Sequence, residues 1–141
     1  MRNILLCLIV LISSTAKAES ILPEDVLIKG LSLWDKEEVF LSVLGWPNSI
    51  EKFYLPAQGQ SGEHYSSILK YIGLNVHFHY KNAILIQLME PKYLLANGRR
   101  VGDYTNHESG EKWWRIGESD CLYSEFSEEN IITKIELSCP I

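Results

Sequence analysis

The chain has 141 residues, of which 18 are acidic and 13 basic, giving a formal charge of −5, and 46% are hydrophobic. Phosphate binding needs clustered lysine and arginine, so this acidic balance, with only isolated pairs such as Arg99-Arg100, argues against nucleic acid as a partner. Beyond the N-terminus, no apolar stretch approaches the ~20 residues of a membrane-crossing helix.

The first eighteen residues, MRNILLCLIVLISSTAKA, carry an early charge at Arg2, an apolar core from Ile4 to Ile12, and a small-residue end at Ala16-Lys17-Ala18. This layout predicts a signal peptide cleaved after Ala18, and its apolar core is too short to span a membrane. Cys7 lies inside that core, with no small residues leading to a cleavage point before it, so a lipidated N-terminus is not expected. Removal of residues 1–18 leaves 123 residues, 19–141, with 11 basic and 18 acidic side chains and a charge of −7. That length suits one modest domain, and the compartment expected is the periplasm or the outside of the cell.

Leu22 to Ile28 reads as a short helix starting after Pro23. Asp35 to Leu44 is the clearer helix: Asp35 as N-cap, Glu37 and Glu38 in the first turn, and Val39, Phe40, Val43 and Leu44 on one apolar face. Gly45 and Pro47 stop it. Past Pro47 the pattern becomes β. Lys52–Leu55 and Ile68–Ile72 are strand candidates on either side of the loop AQGQSGEHYSS, a candidate binding insertion. NVHFHY and AILIQLM then form a hairpin around Lys81-Asn82, with Val76, Phe78 and Tyr80 alternating against His77 and His79.

The second half follows a similar plan. Gly30 and Gly45 are 15 residues apart, as are Gly102 and Gly117, and Ile86-Gln87-Leu88 is matched by Ile135-Glu136-Leu137. The expected fold is therefore α+β: an antiparallel sheet with short helices on one face, built from two half-repeats, 22–92 and 95–139. HESGEKWW supplies the second, weaker helix, with Trp113 in the core place and Trp114 exposed. Two cysteines follow the signal peptide, Cys121 and Cys139, each nine residues from Asn130. A hairpin centred there sets them directly opposite, where cross-strand Cβ atoms lie ~4.5–5.5 Å apart, so a disulfide is expected.

The element Val43-Leu44-Gly45-Trp46-Pro47, after a short amphipathic helix and before strands, resembles the leucine-glycine-x-proline element of small exported bacterial domains of the β-lactamase-inhibitor-protein and SmpA/OmlA-like type. Val101-Gly102-Asp103 is similar to the start of a second unit in such domains. The resemblance implies helix-helix-strands units and work by protein binding, either inhibition of a hydrolase or support of outer-membrane assembly. The chain departs from the lipoprotein members in having no lipidation cysteine at the cleavage site.

No catalytic set assembles: there is no Gly-x-Ser-x-Gly elbow, both later cysteines are committed, and adjacent acids such as Glu37-Glu38 and Glu128-Glu129 are ordinary solvated pairs. No motif calls for a cofactor. His77 and His79, ~6.6–7 Å apart along one strand face, are weak metal-ligand candidates, with His64 and His107 as possible completers; the plainer reading is a solvated strand face. Trp46, Tyr54, Tyr65 and Trp114 are the candidate partner-binding residues, since tryptophan and tyrosine dominate protein hot spots. The function expected is stoichiometric binding of another protein, such as a basic envelope or secreted enzyme, as an inhibitor or immunity protein. The rivals are an envelope-assembly or scaffolding domain and a metal-binding periplasmic protein.

Overall fold

The computed structural model describes residues 19–54, 65–107 and 110–141. The elements are β1 (Ser20–Ile21), a 3-10 turn (Pro23–Val26), α1 (Glu37–Leu44), β2 (Ser49–Phe53), β3 (Ser66–Tyr71), β4 (Leu74–His79), β5 (Asn82–Leu88), β6 (Gly110–Ile116), β7 (Leu122–Glu128) and β8 (Ile131–Ser138). All eight strands form one sheet in the order β1-β6-β7-β8-β5-β4-β3-β2. Every neighbouring pair is antiparallel except β1 with β6, so the sheet is mixed.

The expected α+β class is thereby corrected: the chain is mainly β, with α1 as the one α-helix among the described residues. The second expected helix is strand β6. Its residues alternate, with Lys112, Trp114 and Ile116 turned inward and Glu111, Trp113 and Arg115 outward. Gly110, the poor helix residue within HESGEKWW, has φ 124° and opens this strand. The matched glycine spacing thus brackets a helix in one half and a strand in the other. A period of two also reverses the tryptophans: Trp113 is 59% exposed, whereas Trp114 packs against the core.

What the two halves do share is a hairpin geometry, at an offset of 49 residues. Both turns have two residues with positive φ, Tyr80-Lys81 and Glu129-Asn130, the backbone that matches strand twist. Both have an extra residue shortly after the turn, Ile84 and Thr133. Ala83, Ile86 and Leu88 are buried in the first hairpin and Ile132, Ile135 and Leu137 in the second. The two last strands pair with each other, Gln87 opposite Glu136.

The first turn lies at Tyr80-Lys81, one residue before the expected position. The second is a two-residue turn at Glu129-Asn130, not one centred on Asn130. Its bulge at Thr133 adds the missing residue, so Leu122 still pairs with Ser138. Cys121 and Cys139 follow with Cα atoms 4.2 Å apart and sulfurs 1.96 Å apart, a disulfide-bonding distance. Closing a loop of this size removes about 3 kcal/mol of unfolded-state entropy, less here because the turn already brings the strands together. Reduction, or a Cys121→Ser/Cys139→Ser double substitution, is expected to cost about 2 kcal/mol, read from the urea midpoint with and without reductant.

Helix α1 lies on the core face of the first hairpin, Phe40 meeting Phe78 edge-on at 5.3 Å between centroids. Asp35 is not its N-cap. That position is Lys36, which makes no side-chain cap, while Asp35 accepts from the Ser32 backbone N–H at 2.8 Å. Gly45 does end the helix, with φ 79° and its N–H bonded to the Leu41 carbonyl. The Tyr71 hydroxyl then donates to the Gly45 carbonyl at 2.8 Å, fixing where the chain leaves the helix.

Candidate functional site

The offset that relates the hairpins also locates the most polar part of the interior. Leu74, Val76 and Phe78 on β4 have Tyr123, Glu125 and Ser127 as their counterparts on β7. The first set is apolar, with Phe40 of α1 packed on Phe78. The second is polar and is covered by the connection between β5 and β6, which brings Arg99 and His107 over it.

Glu125 is 1% exposed, a position where an unpaired carboxylate would be very costly. Arg99 meets it with both arms, Nε to Oε2 at 2.9 Å and Nη2 to Oε1 at 2.7 Å. The Tyr123 hydroxyl donates to Oε2 in a short hydrogen bond. His107 Nε2 lies 3.6 Å from Oε1, and His107 Nδ1 is 3.2 Å from Ser127 Oγ. The hydrogen bond to Glu125 holds the Arg99 guanidinium above its usual pKa, and burial followed by the same carboxylate raises the Tyr123 phenol. Arg99 and Tyr123 therefore both keep their protons at neutral pH.

Beside this network is an open pocket of about 290 Å³, lined among others by Asn97, Asn106, Lys112 and Trp114. Trp114 packs on Tyr123 at 5.1 Å between centroids, and Lys112 Nζ lies 5.1 Å from the Trp114 ring centre.

The other candidate binding residues lie elsewhere. Trp46 is 81% exposed and Tyr54 48% exposed; they flank edge strand β2, one at each end. Tyr65 is half-buried beside Tyr54, its N–H bonded to the Phe53 carbonyl. Trp114 is separated from this group by six strand spacings in the sheet order, roughly 29 Å at ~4.8 Å each. The structure thus brings Tyr54 and Tyr65 together at one end of β2 and leaves Trp114 at the far side of the sheet. Most of the insertion loop lies outside the described residues.

No protein-family model, no curated protein and no solved structure matches this chain. Function must be argued from these surfaces.

His77 and His79 share the outer face of β4, both half-buried. His107 is instead beside Glu125 and Ser127, and His64 lies outside the described residues. Among the described residues no group of three or more metal-ligating side chains forms. Burial lowers the His77 pKa below its usual 6.5, opposed by a hydrogen bond with Gln87 and the nearby Glu136. On acidification the unfolded chain therefore takes up this proton before the folded one does. Stability attributable to His77 is expected to fall as the pH drops below about 6.5 and to level off once the folded imidazole is protonated. Urea titrations between pH 7.5 and 5 should show this loss, and His77→Gln should reduce it.

Residues that sequence reasoning missed are Arg99 and Glu125, and the exposed Trp34 and Trp113. The hairpin expected around Asn130 already implies a strand through 122–128, which sets Glu125 on the same face as Tyr123. Nothing local points to Arg99, 26 residues away.

Proposed function

We propose that this chain is a small protein-binding domain of the periplasm, released after Ala18, and most concretely an inhibitor or immunity protein that occludes an envelope-acting enzyme. The observation that carries this reading is the β2 end of the sheet. There an edge strand, paired only with β3 among the described residues, lies between exposed Trp46 and the exposed pair Phe53 and Tyr54. Val39 and Val43 add exposed apolar surface on the α1 turns leading to Trp46. Edge backbone supplies hydrogen bonds to an incoming chain, and aromatic side chains supply area at little entropic cost.

A paired cysteine couple supports an exported setting, since disulfides persist in oxidising compartments; among the described residues no helix is long and apolar enough to cross a membrane. The charge of −7 suits a basic partner through electrostatic steering. The likeness of Val43-Leu44-Gly45-Trp46-Pro47 to the exported inhibitor and envelope domains points the same way.

Envelope extract passed over the immobilised 19–141 chain is expected to yield one soluble protein in stoichiometric amount. Trp46→Ala should weaken that complex by about 2 kcal/mol, roughly 30-fold in Kd. Recovery of outer-membrane components, unaffected by Trp46→Ala, would replace inhibition with an assembly role.

A further inference from the structure

The pocket beside Glu125 has an uneven donor and acceptor inventory. Both Glu125 oxygens are occupied: Oε2 accepts from Arg99 Nε and from the Tyr123 hydroxyl, and Oε1 accepts from Arg99 Nη2. The Asn97 carboxamide oxygen accepts the Arg99 backbone N–H at 2.9 Å, which leaves its amide N–H groups as the polar function it can offer. Lys112 contributes three N–H donors and no acceptor, and Arg99 has N–H groups beyond the two spent on Glu125. Asn106 adds a further amide to the lining. Donors and positive charge thus converge on the pocket of an acidic protein, while its one carboxylate is already consumed.

A buried acid that grips an arginine from the side also orients it, so its remaining edge is offered without the entropy cost of ordering a long side chain. The Trp114 and Tyr123 rings form an apolar wall beside these donors. We propose that this pocket binds a small aromatic oxyanion, a carboxylate or a phosphate monoester, its ring against Trp114 and its anionic group held by Lys112 and Arg99. This site is separate from the β2 surface, and its test does not depend on any protein partner.

The probes are benzoate and phenyl phosphate, with benzamide as the neutral counterpart, titrated into the folded 19–141 chain while the tryptophan indole N–H signals are followed by NMR. The Trp114 signal is identified by its loss in Trp114→Phe. Benzoate, phenyl phosphate or both are expected to shift it saturably, benzamide is not, and added salt should weaken the anions. Which anion binds tighter tells carboxylate from phosphate recognition. Lys112→Gln should weaken binding at least tenfold, whereas Trp113→Phe, on the opposite sheet face, should leave it unchanged. Absence of a saturable shift with either anion, equal binding of benzamide, or unaltered affinity in natively folded Lys112→Gln would overturn the proposal. Should Lys112→Gln fail to fold, the benzamide comparison and the salt dependence decide it alone.

Discussion

Replacing Phe40 by alanine is expected to lower the unfolding free energy by about 4 kcal/mol, within the range for emptying a buried phenylalanine site. Phe40 is the one fully buried residue of α1, at 1% exposure, and its ring meets Phe78 of β4 edge-on. An eight-residue helix is far below the length that is stable alone in water, and this one has no side-chain N-cap. Its persistence therefore depends on tertiary packing, with the Ser67 hydroxyl donating to Glu37 at 2.8 Å as a second attachment. Val43→Ala, at a position 46% exposed, should cost less than about 0.5 kcal/mol. The comparison is made by urea unfolding. A Phe40→Ala cost near that of Val43→Ala would show that α1 is not anchored as described. Loosening α1 should also weaken any complex made through Trp46, because the helix positions that residue.

Arg99→Ala is expected to cost about 3 kcal/mol. The loss comes mainly from what remains: the carboxyl of Glu125, buried to 1%, would be left without its bidentate partner. Removing one member of a buried pair typically costs ~3–5 kcal/mol, and the lower end applies because the Arg99 side chain is 35% exposed. Arg99→Lys should recover only part of the stability, since a lysine cannot supply two parallel N–H donors. Tryptophan fluorescence should register the change as well, because Trp114 packs on Tyr123 within the same network. A cost below about 1 kcal/mol would mean that water replaces Arg99 readily and that the network is not the clamp inferred here.

The two predictions differ in how visible their residues are in the sequence. Phe40 belongs to a helical pattern that ends at Gly45, but the same pattern put Val39 and Val43 on the apolar face and both are exposed; the core side runs through Phe40, Leu41 and Leu44. The two hairpins were legible, because turn-prone residues separate runs of alternating apolar side chains. The opposition of Cys121 and Cys139 followed from their even spacing around the second turn, although the turn is tighter than expected and a bulge makes up the difference. HESGEKWW carries both a glycine interval that matches the helical half and a strand alternation, and the alternation decides its conformation. Trp113 and Trp114 then exchanged roles, since neighbouring residues on a strand face opposite ways.

Glu125 and Arg99 mark the boundary of what local pattern can tell. Alternation can place Glu125 on an inward face, but only the path of the 95–107 connection over β7 decides that Arg99 meets it. The sequence by itself determined the hairpins, the helix stop and the cysteine opposition, because each depends on contacts between residues close along the chain. Tertiary structure alone decided the mixed sheet order, the donor-rich pocket, and the separation of Trp114 from Trp46 and Tyr54. Those depend on which distant segments cover each sheet face, and no local period encodes that.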